Sequence, residues 1–154
     1  MDELTEILKL ALVGLVAGMF STYLSGRDHR DKKWWELRAS AYQSVIEALS
    51  DLSYYYDRHL TAEIEYREFS AEYKEKLKAF WEEAYPKVRK AADMGAFLFS
   101  EEANAALNEF IEQQESGHET YIEHLDSSYA GAKKCLKRLV ACSKKDLEIR
   151  NGWL

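Results

Sequence analysis

At 154 residues the chain is long enough for one compact domain and too short for two. Its net charge of −6 hides an asymmetry: residues 61–126 hold sixteen acids and seven bases, whereas residues 127–154 hold seven bases and two acids. The acidic middle argues against nucleic acid as a partner. One Pro, seven Gly and no low-complexity linker describe a chain that is helical nearly throughout.

The first element is the apolar run at residues 7–24, interrupted once by Lys9. At about 1.5 Å per residue it reaches roughly 27 Å, close to a hydrocarbon core of ~30 Å. Lys9 lies near one end and can snorkel its amine to the headgroups. The start Met1-Asp2-Glu3, with Glu6, lacks the basic region of a secretory signal, and no A-x-A-like site follows. The run predicts a transmembrane anchor over 1–26, with a soluble core helix as the alternative. Arg27, Arg30, Lys32, Lys33 and Arg38 follow it, while Lys9 and the amino terminus are the only cations before it. The positive-inside rule then places residues 27–154 in the cytoplasm and the N-terminus outside the inner (cell) membrane of a bacterium. Ala11, Gly14, Gly18, Ser21 and Ser25 form a small-residue stripe that contains a GxxxG step. The stripe predicts a homo-oligomer, as a packing seam or as the lining of a narrow pore.

The period stays helical from Asp28. Trp35, Tyr42, Leu49 and Tyr56 recur every seven residues, and Ala39, Val45, Ile46, Leu52 and Leu60 widen the same side into a bundle-facing stripe. Ser70 is the expected N-cap of a second helix, with Glu72 in its first turn. Tyr73, Leu77, Phe80, Trp81, Ala84 and Val88 share its face. Pro86 falls inside this pattern without changing its phase, which predicts a kinked helix ending near Met94-Gly95.

Ser100-Glu101-Glu102 opens a third helix that carries Ala103, Leu107, Phe110 and Ile111. Tyr121, Leu125, Tyr129, Ala132, Leu136 and Leu139 form a fourth stripe in nearly the same phase. One long helix over 101–147 is the alternative, since Gly117 would cost only about 1 kcal/mol inside it. A break is favoured because Glu115-Ser116-Gly117-His118 interrupts the apolar stripe. The expected fold is all-α: the anchor, then a cytoplasmic antiparallel bundle of three to four helices over 27–154. Alternating helices would bring Lys133, Lys134, Lys137 and Arg138, with Lys144 and Lys145, back beside Arg27, Arg30, Lys32 and Lys33. Both clusters would face the anionic leaflet, at about 1 kcal/mol per near-surface cation. Residues 97–99 and Trp153 would sit at the same level. The alternative is a solvated helix face whose bases complement the C-terminal dipole.

No chemistry-bearing motif stands out. Cys135 and Cys142 lie two helical turns apart, about 10 Å, too far for a disulfide within a helix, and read as packing thiols. Glu115-x-x-His118 occurs once, without the second pair that a di-metal bundle needs. His118 and His124, with Glu119 and Glu123, read as surface residues. There is no zinc spacing and no Gly-rich phosphate loop. No metal, cofactor or enzymatic activity is expected. Tyr54-Tyr55-Tyr56 and Trp34-Trp35 must turn some rings off the core stripe, as extra core width or as contacts for a protein partner.

A single N-terminal span, the juxtamembrane start Lys32-Lys33-Trp34-Trp35-Glu36 and a helical bundle resemble small bacterial single-pass membrane proteins. The layout is similar to the HEPN-like membrane-pore accessory of RNA-targeting CRISPR systems, a family that joins a membrane helix to a divergent HEPN-like bundle and assembles as a ring. HEPN ribonucleases carry Arg-x4–6-His, and no arginine here has a His at that spacing. The resemblance therefore implies antiviral defence at the membrane without nuclease activity. The leading expectation is a membrane-anchored, self-associating protein, a defence-type membrane effector or pore. The alternative is a membrane-tethered binding module (immunity, adaptor or scaffold protein) that holds a basic partner on an acidic cytosolic face.

Overall fold

The computed structural model describes the backbone of residues 2–148 and the side chains of residues 30–148. Four helices follow in order: α1 (Asp2–Ile64), α2 (Ala71–Leu98), α3 (Glu101–Glu115) and α4 (Tyr121–Leu147). No strand occurs among the described residues. The chain divides into two compact units, Met1–Leu37 and Arg38–Leu154.

The first unit is helical through its described backbone. Its Arg30, Lys32 and Lys33 are exposed, and Trp34, Trp35 and Leu37 are partly so. The anchor at 7–24, the stripe Ala11, Gly14, Gly18, Ser21 and Ser25, and Arg27 lie outside the residues whose side chains are described. Among the described residues no helix is long and apolar enough to cross a membrane.

The second unit is an antiparallel helical bundle. At one end Arg38 Nε donates to the Leu98 carbonyl at 3.0 Å, and the Tyr42 hydroxyl donates to Asp146 near the end of α4. Arg38 also pairs with Asp146 at 3.5 Å. Arg38, the α2–α3 corner and the end of α4 thus share this near end. The α1–α2 and α3–α4 turns share the far end.

Each turn has a local cause. α1 closes in a Schellman turn: Arg67 N–H donates to the Ala62 carbonyl at 2.9 Å and Tyr66 N–H to the Glu63 carbonyl at 3.4 Å. Tyr66 takes the left-handed position, with φ 53°. Ser70 caps α2 by accepting from Tyr73 N–H, and Ser100 caps α3 by accepting from Ala103 N–H, both as expected. Thr120 and Glu123 form a reciprocal capping box that starts α4. Residues 101–147 are therefore two helices, with Gly117 in the link.

Leu49, Leu52, Val88, Leu107 and Leu139 are fully buried at the centre. Tyr42, Phe110, Leu125 and Ala132 extend the core around them. The buried face of α4 also includes Ser128, Cys135 and Cys142.

Two expectations about the bundle need correction. α2 does not end near Gly95 but runs to Leu98, because Gly95 is a packing position. A Cβ there would overlap the Asn104 carboxamide of α3, so the glycine admits a neighbour instead of stopping the helix. Trp35 is not a core residue: it is 42% exposed, and the last core layer of the bundle is Tyr42 against Phe99, edge-on at 4.8 Å. Phe97 and Phe99 also part ways, the first exposed and the second buried, because Phe99 follows the helix and folds back onto Tyr42.

Candidate binding groove

At the far end the bundle does not close its aromatic residues into the core. Tyr56 is buried, and burial pushes its hydroxyl up to about 12. That hydroxyl donates to Gln114 Oε1 at 2.7 Å and accepts from Trp81 Nε1 at 3.2 Å. Ser128 Oγ donates to the same Gln114 oxygen at 3.3 Å. One polar chain therefore ties all four helices together beneath the surface. The Nε2 amide of Gln114 is buried and finds no acceptor.

Above this chain lies an open groove of about 540 Å³. Tyr55 from α1, Trp81 and Tyr85 from α2, and Tyr121 and His124 from α4 line it. The rings of Trp81 and Tyr85 stack one helical turn apart, 6° from parallel with centroids at 5.0 Å. Lys78 and Glu82 stand at the groove, paired at 3.3 Å and both well exposed. Burial raises the Tyr55 and Tyr121 hydroxyls and lowers His124, so these groups are neutral at pH 7.

The aromatic surface continues toward the α1–α2 turn. Tyr54 tilts against Phe80 and shares a 3.2 Å hydroxyl contact with Tyr73. His59 bridges Tyr55 and Phe69. The Arg58 guanidinium rests over the Tyr54 ring at 5.2 Å. Phe80 and Tyr121, expected in the core, stand 38% and 53% exposed at this end. Their stripes are wider than the seam that the facing helices cover.

The other residues singled out in the sequence are arranged differently. Lys134 and Arg138 of α4 both pair with Glu109 of α3, and the Lys133 ammonium lies 5.3 Å over the Tyr129 ring. Lys137 is exposed on the same helix, and Lys145 reaches Glu102 at 3.9 Å. Arg30, Lys32 and Lys33 belong to the first unit. Glu115 pairs with Arg89 and so does not join His118, whose ring meets His124 edge-on at 5.2 Å. No cluster of three metal-ligating side chains exists among the described residues. Cys135 and Cys142 are both buried as free thiols.

Sequence reasoning missed Tyr85 and Gln114. Trp81 and Tyr85 are four apart on one helix face, a spacing that stacks two rings. Gln114 ends the α3 apolar stripe with a polar residue next to buried neighbours, a weaker signal. Comparison with known proteins finds no match: no family model, no curated protein and no solved structure matches this chain.

Proposed function

We propose that the chain is a membrane-tethered binding module, an adaptor, scaffold or immunity protein whose helical bundle holds a basic protein partner. The observation that carries this reading is the open aromatic groove at the far end of the bundle. Most of its lining falls within residues 61–126, where acids outnumber bases sixteen to seven. Aromatic rings offer large contact area at low entropic cost, and an acidic stretch steers a basic partner to them. Residues 7–24 supply the tether, with the bundle on the cytoplasmic side of the inner membrane. Arg30, Lys32 and Lys33 of the first unit then lie against anionic lipid. Under this reading the protein binds and does not catalyse.

The test is affinity purification of the full chain from bacterial membranes at low and high salt. A stoichiometric basic protein, retained at about 50 mM salt and released by about 500 mM, supports the reading, since ions screen such contacts over a Debye length. The absence of any stoichiometric partner at low salt sinks it.

A second reading follows from the spacing of Ala11, Gly14, Gly18, Ser21 and Ser25. It makes the protein a self-associating membrane effector or pore, akin to the HEPN-like accessory that it resembles. A discrete closed oligomer in detergent that is lost on Gly14→Leu with Gly18→Leu supports this version. An oligomer unchanged by that double substitution removes the small-residue stripe as its cause.

A further inference from the structure

A second groove opens at the near end, between α1 and α2. Ala41, Ser44 and Val45 of α1 face Ala91, Met94 and Leu98 of α2 across it, and Phe99 closes it at the α2–α3 corner. Short side chains at 41, 44 and 91 leave the two helices a gap that longer ones would fill. The space is about 350 Å³, within the ~300–1,000 Å³ of sites that take a compact occupant. Its lining is apolar except for Ser44 and for Lys87 and Lys90 at the end away from the corner. Glu83 holds Lys87 at 2.8 Å. Met94 is 48% exposed there, an apolar thioether that burial would stabilise.

The exit of α4 lies beside the same corner. Arg38 joins the two, its Nε donating to the Leu98 carbonyl at 3.0 Å and its guanidinium 3.5 Å from Asp146. Tyr42 links them again, bonded to Asp146 and edge-on to Phe99 at 4.8 Å. At Glu148 the backbone leaves the helix, with ψ 113°. The sequence then reads Ile149-Arg150-Asn151-Gly152-Trp153-Leu154. From Glu148 to Trp153 an extended chain reaches up to about 17 Å, enough to pass the corner. Asn-Gly is a dipeptide that reverses the chain readily. α4 runs toward the near end and the groove runs back along α2, so an occupant that comes from α4 needs such a reversal. The two residues after it, Trp153 and Leu154, are apolar like the groove.

We propose that residues 149–154 fold back over the α2–α3 corner and seat Trp153 in this groove, its ring against Met94 and Ala41. Attachment beside the groove gives this segment a high effective concentration that a separate ligand lacks. The reversal at Asn151-Gly152 keeps Arg150 on the α4 side, near Asp146 and away from Lys87 and Lys90. The segment acts as a strap that covers the apolar slot and ties α4 to α1 and α2. It goes beyond the binding-module reading and does not depend on it.

The experiment uses the purified full chain with ¹³C-labelled methionine methyls, Met94 being one of three methionines. The signal lost in Met94→Leu assigns it. The expected result is a nuclear Overhauser contact between the Met94 methyl and the Trp153 indole within one chain, and movement of that methyl signal in Trp153→Ala. Met94→Glu, at an exposed position, should raise solvent exchange of the Trp153 indole N–H at least fivefold with the fold unchanged. The absence of the Overhauser contact overturns the proposal, as does a Met94 methyl indifferent to Trp153→Ala. A contact seen only between differently labelled chains overturns it in favour of a second copy. A Met94 methyl that meets the acyl protons of detergent or lipid instead of the indole overturns it in favour of a lipid chain.

Discussion

Tyr66 occupies the one position of the Schellman turn at which an L-residue pays for its Cβ, a strain of about 1–2 kcal/mol relative to glycine. Replacing it with glycine removes that strain and adds some unfolded-state entropy. Tyr66→Gly should therefore stabilise the bundle by about 1 kcal/mol, read as a higher urea midpoint at constant slope. A lower midpoint would mean that the ring has a contact worth more than the strain. Asp146 gives a pH signature. Burial pushes its carboxyl up, but the Tyr42 hydroxyl, Ser100 and Arg38 outweigh burial and hold it below the ordinary range. The unfolded carboxyl then binds protons more readily than the folded one. Stability from this group is complete above the ordinary Asp value of 3.8 and is lost as pH falls through the lower folded value. Asp146→Asn should flatten the acid limb of the stability curve. Cys135 is the inert counterpart: burial pushes its thiol up to about 12, and its Sγ–H points at the Ala106 carbonyl at 3.4 Å. Both cysteines should label with a maleimide only at the rate of global opening. Labelling of the folded protein faster than that would contradict their burial.

The helices themselves were largely legible before the structure. Ser70 and Ser100 marked two starts because a hydroxyl at the N-cap satisfies an otherwise orphaned N–H, a local effect that sequence alone contains. Of the repeat Trp35–Tyr42–Leu49–Tyr56, period alone put the last three on the core side, while Trp35 falls beyond the last core layer, which period does not record. Gly95 was misread because a glycine near a helix end looks like a stop, whereas its use depends on Asn104 across the α2–α3 contact. Gly95→Val should cost about 1–3 kcal/mol by overpacking that contact, whereas a stop signal would tolerate the change. Thr120→Ala should cost about 1 kcal/mol through loss of the capping box, measured by thermal or urea unfolding. The groove was half legible. Tyr54 and Tyr55 announced surplus aromatic width, but which rings stay uncovered depends on how four helices meet at one end. No single stripe records that.

Across the second unit, charge and aromatic character separate by end and face. Bases on α4 are turned partly onto Glu109 and Glu102 of α3, while the far end gathers rings beside the matched pair Lys78–Glu82. Three histidines belong to that end, His59, His118 and His124. Burial lowers both His59 and His124, the latter helped by His118. Each is protonated more readily in the unfolded chain, so the stability they lend at neutral pH declines as pH drops below about 6.5, the ordinary histidine value. Urea midpoints at pH 7.5 and pH 5.5 should differ in that direction, and His124→Gln should narrow the gap. A midpoint that rises on acidification would show that a nearby acid, such as Glu63, dominates.

The contact between the Tyr42 hydroxyl and Asp146 joins residues 104 positions apart. Closing so long a loop is slow relative to the α3–α4 hairpin, whose Gln113 side chain reaches the Ser127 carbonyl only fourteen positions on. The expected order of assembly is that the hairpin organises first and the Tyr42–Asp146 end closes last. Contacts formed after the rate-limiting barrier set how fast a protein comes apart and not how fast it comes together. Tyr42→Phe should then leave the refolding rate almost unchanged and speed unfolding by roughly tenfold, the kinetic equivalent of about 1.4 kcal/mol. The pair acts as a latch on the lifetime of the folded bundle.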